Sequence, residues 1–346
     1  MADELRTRKR ARLEEPDQEL PQDDSEFWFE DGTIILHAHE DVRFCVYKGV
    51  LAEHSSVFAD MFSFPQPPPT AAGGGIDVCQ CPVVHLEDKV EDLRHVLRAL
   101  FPNKHTLNVR TGPRELTYEV IAAYVRIGHK YQIDDLVQQS LDYLRQYYVA
   151  DFDRWTSRVF TANRAPHGFQ LDSWYFHRQH AIGIVNIARL TGCTSILPTA
   201  LLCCCRLTTK ELLKGVEVED GIRELLEEED VERCLEAKVM LMQKSTRMIL
   251  QVFNDACLTK RRRCKTSRRC RIGIEVTFRS LEDDVDMIAN DDPFFGASYF
   301  LEMGDTDDPI CRFCRMALTD DLIEEQRKIW SQLPSILSLK IDGWAK

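Results

Sequence analysis

The residues of this chain best suited to chemistry are cysteines. Cys311-Arg-Phe-Cys314 is a CxxC pair, and Cys257, Cys264 and Cys270 lie upstream with six and then five residues between them. A CxxC knuckle sets two thiolates on one face of a tetrahedron, and two more thiolates close a structural zinc site. Cys264 and Cys270 are the preferred partners of Cys311 and Cys314, with Cys257 the alternative fourth ligand. Spacing alone leaves that set open, because the upstream half is not a second CxxC, and unligated thiols are the competing reading. A redox role for the CxxC would need a thioredoxin-like βαβ context, which the flanking sequence lacks. Cys203, Cys204 and Cys205 sit in the apolar run Ile196–Leu207 and read as buried small hydrophobes.

Lys260–Arg271, KRRRCKTSRRCR, holds eight basic residues and no acidic one. Such a run can track phosphates, yet no aromatic residue interleaves it for base stacking. Asp283, Asp284, Asp286, Asp291 and Asp292 follow closely enough to neutralise it, so it reads as a solvated loop or a nuclear-import signal. His37 and His39 lie two apart on a strand and so share a face, with nothing to complete a metal site. There is no GxxxxGK[ST], GxGxxG after a strand, GxSxG or HExxH. Gly73–Gly75 follow prolines rather than a strand, so they do not cradle phosphate. No enzymatic activity is expected.

These groups must be positioned by ordinary globular structure. The chain has 346 residues, enough for two domains, with 44% hydrophobic and 29% charged residues. A formal charge of −12 argues against a general nucleic-acid binder, so nucleic acid is not expected as a partner. No apolar run approaches the roughly 20 residues of a membrane span. The start, MADELRTRKRARLEE, has no apolar core of a secretory signal. The 13 cysteines are therefore expected as buried thiols or metal ligands in a reducing compartment rather than as a disulfide framework.

Residues 1–26 read as a disordered, charge-segregated tail whose basic run Arg8–Arg12 suits a nuclear-import signal. Strand-like runs at Thr33–His39 and Val42–Tyr47 are separated by Glu40-Asp41 and lead into a helical pattern over Val50–Met61, broken at Ser55-Ser56. FPQPPPTAAGGG at 64–75 is a loop, followed by a strand at Val83–Leu86. Amphipathic helices follow over 90–101, stopping before Pro102, and around 116–128 and 136–148. Beyond 150 the pattern is helical. Gly192 closes a helix from His180, Thr208 and Glu211 form a capping box, a long helix covers about 231–253, and Pro334 ends a helix over 319–333.

FWFEDGTIILHAHEDVRFCVYKGVLAEHSSVFADMFSF, from Phe27 to Phe64, resembles the opening of a BTB/POZ domain. The family pattern falls on Asp31, Phe44, Val46, Lys48, Leu51, Ala52, Ser55 or Ser56, Phe58, Met61 and Phe62. Tyr47 departs from it, standing where many members carry histidine. YVRIGHKYQIDDLVQQSLDYL at 124–144 resembles the family's closing helices. The layout as a whole is similar to a large group of BTB proteins from mushroom-forming fungi, on phrases such as CPVVHLED, HAIGIVNIARLTGCTSILPTALLCCC and RKIWSQLPSILSL.

The resemblance implies an α+β fold: a BTB/POZ domain over 27–149, a small sheet with helices, followed by a mainly α-helical domain over 150–346 with a less regular segment at 258–318. It implies a non-enzymatic, homodimerising protein that recruits protein partners without a membrane, located in the nucleus, the cytoplasm or both. Asp31 and Lys48 match a charged pocket near the family's dimer interface, with Leu51, Phe58, Met61 and Phe62 beside it. The alternatives are a substrate adaptor of a cullin-type ubiquitin ligase and a nuclear, zinc-containing regulator. Against the adaptor, the stretch from Phe62 to Leu86 lacks the hydrophobic-x-Glu element that many such adaptors carry.

Overall fold

The computed structural model describes residues 21–64, 81–102, 116–162, 180–218, 223–258, 264–280, 285–294 and 310–344. They belong to a mixed α/β chain with a small sheet and many helices, divided into two compact units, 1–106 and 107–346. The Arg8–Arg12 run, the loop at 65–80 and Lys260–Arg263 lie outside the described residues.

The first unit contains β1 (Gln22–Trp28), β2 (Ile34–His37), β3 (Val42–Val46), α1 (Lys48–His54), α2 (Ser56–Ser63), β4 (Val83–His85) and α3 (Val90–Leu100). The sheet order is β1-β3-β2-β4. β2 and β3 form the expected antiparallel hairpin, while β1 runs parallel to β3 and β4 parallel to β2. Asp41 turns the hairpin at φ 54°, in a left-handed conformation that aspartate adopts more readily than most residues. Ile34, Ile35 and Leu36 are consecutive and all buried, so both faces of β2 are covered.

The expected break at Ser55 divides two helices. Its N–H donates to the Leu51 carbonyl, and its hydroxyl oxygen accepts from Phe58 N–H at 3.0 Å, capping α2. Ser55→Ala is expected to weaken α2 by about 1 kcal/mol. Faster hydrogen exchange of the α2 amides is the readout, and unchanged exchange would show the cap to be dispensable.

β1 corrects the expectation of a disordered tail through residue 26. Asp23, Asp24 and Glu26 look solvated in sequence but each finds an arginine. Asp23 pairs with Arg43 at 2.6 Å, buried Asp24 with Arg94 at 2.7 Å, and Glu26 with Arg98 through two bonds of 2.6 and 2.7 Å. Asp24 also accepts from the backbone N–H groups of Glu26 and Phe27. With the charges satisfied, Phe27 enters the core against Phe44.

The second unit opens with α4 (Tyr118–Tyr131), α5 (Asp134–Tyr147) and α6 (Phe152–Ala162). α7 (Ala181–Thr191), α8 (Leu197–Cys205), α9 (Thr209–Lys214) and a two-residue hairpin, β5 (Val216–Glu217) with β6 (Arg223–Glu224), follow. Then come α10 (Glu228–Leu258), α11 (Ser267–Ser280), α12 (Val285–Ile288), α13 (Arg312–Ser331) and α14 (Leu333–Ile336). α4 and α5 bury Ile121, Val125, Leu141 and Leu144 in the same core as α7, α8, α10 and α13. Packing thus divides the chain near residue 106, whereas the family resemblance draws its boundary at 149.

Gly192 at φ +67° caps α7, and the Thr208–Glu211 capping box begins α9, both as expected. α10 is longer than its apolar stripe suggested, at 31 residues. Its N-terminal end is held by buried Asp230, which accepts from Arg189 at 2.6 and 2.8 Å and from Arg233 at 3.1 Å. Among the described residues of 258–318, α11 occupies Ser267–Ser280, where the charge pattern suggested a less regular segment. Pro334 does not end the preceding helix, which closes at Ser331; it sits in the first turn of α14, where its missing N–H is no loss. Among the described residues no helix is long and apolar enough to cross a membrane.

Candidate metal centre

The four cysteines preferred from sequence meet. The sulfurs of Cys264, Cys270, Cys311 and Cys314 all lie within 4.8 Å of one another. Cys264 precedes α11 and Cys270 lies in its first turn. Cys311 is the N-cap of α13 and Cys314 lies in that helix's first turn. An N-cap residue and the residue three places on face the same end of a helix, so CxxC at this position directs both sulfurs to one point.

Cys264 Sγ is 3.5 Å from Cys270 Sγ and 3.8 Å from Cys311 Sγ. A zinc tetrathiolate with bonds of about 2.3 Å has sulfur–sulfur edges of about 3.8 Å, so the set is close to the right size. The surroundings suit negative charge. Cys311 N–H donates to Cys270 Sγ at 3.3 Å, Thr266 Oγ1 lies 3.2 Å from the same sulfur, and the positive ends of α11 and α13 converge here. Burial works against ionising Cys270, but these hydrogen bonds and the neighbouring thiols lower it to about 7. Burial and the adjoining sulfurs Cys264 and Cys311 push Cys314 the other way. The chemistry of the set is that of a closed cation site with four soft ligands.

Cys257 is outside the four-sulfur group, which decides the alternative that spacing left open. It lines a cleft of about 450 Å³ beside the group, together with Cys264, Cys270, Cys314, Ser267, Arg268 and Arg271. Neither Thr266 nor this cleft was legible in the sequence, because both depend on how α10 ends against α11.

The other sequence candidates are dispersed. Cys204 and Cys205 are buried in α8 as expected, whereas Cys203 is only half-buried. Eleven cysteines among the described residues are free thiols, while Cys81 is disulfide-bonded and so is an exception to the expected thiols and metal ligands. His37 and His39 do not share a strand face, since β2 ends at His37. The His37 ring instead lies 4.8 Å from that of His85, tilted by 47°, and its Nε2 is 3.1 Å from Asp41. Arg268, Arg269 and Arg271 are on a helix, not a loop, and two of the acids expected to neutralise them are engaged elsewhere, while Asp283 and Asp284 lie outside the described residues. Asp291 pairs with Lys238 at 3.0 Å and Asp292 approaches Arg206 at 3.7 Å.

In the first unit, Leu51 and Phe58 are core residues, and Met61 and Phe62 are half-buried at the end of α2. Asp31 and Lys48 are both exposed and do not pair with each other among the described residues. Asp31 accepts from the Tyr47 hydroxyl at 2.5 Å. Lys48 begins α1 with its N–H donating to Thr33 Oγ1.

No protein-family model matches the chain, and no curated protein matches it.

Proposed function

We propose that the chain is a non-enzymatic interaction protein whose residues 27–149 act as a BTB/POZ-type module, self-associating and recruiting a protein partner. The observation that carries this reading is the order β2–β3 hairpin, α1, α2, with the pattern positions Leu51 and Phe58 in the core. Leu51 and Phe58 then support an association surface from beneath rather than line it. Met61, Phe62 and the exposed Phe64 form an apolar rim that Asp31 and Lys48 could flank.

The finer reading of the cysteine group is structural zinc held by Cys264, Cys270, Cys311 and Cys314. That site favours the nuclear, zinc-containing regulator over the ubiquitin-ligase adaptor as the more specific role, with the protein in the nucleus, the cytoplasm or both. Light scattering of the full chain at tens of micromolar should report a dimer, and Met61→Asp with Phe62→Asp should shift it to monomer. A wild-type chain that stays monomeric would remove self-association from the proposal, and capture of a cullin scaffold would restore the adaptor role.

A further inference from the structure

The cleft beside the cysteine group holds a fifth thiol that a purely structural metal site does not need. Cys257 stands at the end of α10, half-buried; burial and then Glu275 push its thiol up while Arg271 acts against them, both residues being on α11, the helix that carries Cys270. Cys257 and Cys264 line the same cleft with Arg268 and Arg271. Three of the four grouped sulfurs border it, but Cys270 and Cys314 are buried whereas Cys264 is half-exposed. Of the grouped sulfurs on the cleft, a small oxidant therefore reaches Cys264 first.

We propose that this is an oxidant-sensitive metal site, in which hydrogen peroxide oxidises Cys264 and Cys257 resolves it as a disulfide, releasing the zinc. The inference rests on the zinc reading above. The Cys264 thiolate attacks one peroxide oxygen; an S–O bond forms, the O–O bond breaks and hydroxide leaves. Cys264 is then a sulfenic acid, and the metal has lost one of its four ligands. The Cys257 thiol attacks the sulfenic sulfur; an S–S bond forms, the S–O bond breaks, and the thiol proton departs with the hydroxyl as water. Peroxide is reduced by two electrons and the two cysteines together lose two. With three thiolates left, the metal is held more weakly and dissociates, freeing the start of α13 from the end of α10 and α11. A dithiol reductant reverses the step and restores the site for zinc.

The test uses the full chain loaded with zinc. Hydrogen peroxide is added, free zinc is followed with a chromogenic chelator, and disulfides are mapped by peptide mass spectrometry. The wild type should release its zinc, show a Cys257–Cys264 disulfide, and regain zinc after dithiothreitol. Cys257→Ser should load zinc normally, lose it to peroxide through over-oxidation of Cys264, and fail to regain it. A wild-type disulfide that excludes Cys257, zinc that resists peroxide, or full recovery in Cys257→Ser would overturn the inference while leaving the zinc reading intact. A wild type that binds no zinc at all would instead defeat that earlier reading.

Discussion

Replacing Trp330 by alanine is expected to destabilise the second unit by about 3–5 kcal/mol, a large share of the stability of any domain. Trp330 is 1% exposed on α13 and lies at the centre of an aromatic group. Its ring meets Phe294 at 5.1 Å, Trp344 at 5.2 Å, Trp155 at 5.6 Å and Phe152 at 5.9 Å. Its indole N–H donates to the Ala150 carbonyl at 2.7 Å, and its own carbonyl accepts from Trp344 at 2.7 Å. Alanine would leave a cavity and deprive the Ala150 oxygen of its donor. Trp330→Phe keeps much of the volume and loses only that bond, so its cost should be about 1–3 kcal/mol. Urea unfolding followed by near-UV circular dichroism distinguishes the two. Equal midpoints for both variants would show that the cavity contributes little.

Cys314→Ser should abolish metal binding and release the start of α13. Serine is a poor substitute for a thiolate, and Cys314 is too buried for solvent to supply a fourth ligand readily. Structural zinc sites in small peptides bind with apparent energies of about 10–16 kcal/mol at neutral pH, so the local effect is large. Plasma mass spectrometry should find about one zinc per wild-type chain and none in the variant. Limited proteolysis should then cut near residue 310 in the variant and in chelated wild type alike. Because the ligands bind zinc only when deprotonated, protons compete with the metal and occupancy should fall as pH is lowered. Purified wild type without zinc, or proteolysis unaffected by chelation, would reduce the group to four neighbouring thiols.

Local features were legible in the sequence wherever neighbouring residues determine them. The hairpin at Glu40-Asp41, the break at Ser55, the stop before Pro102, the cap at Gly192 and the Thr208–Glu211 box each depend on only a few adjacent side chains. The four-cysteine group was legible for a different reason, since few thiol combinations include a CxxC knuckle. β1 was not legible, because the arginines that neutralise it lie 20 to 72 residues away. α11 was hidden by its arginines, which obscured the buried Cys270, Gly273 and Ile274 on one face. The break between α13 and α14 was misjudged by two residues because proline both stops one helix and starts the next.

The distant ion pairs of β1 also set a timetable for synthesis. Glu26 must wait for Arg98, 72 residues downstream, and Asp24 for Arg94, 70 residues downstream. At translation rates of about 5–20 residues per second, that interval lasts roughly 4–14 s. Throughout it, Asp24 has no cation to enter the interior with, and desolvating it unpaired is unfavourable. The Asp23–Arg43 pair can form earlier, 20 residues downstream, but the two ion pairs nearest Phe27 close only when α3 has left the ribosome.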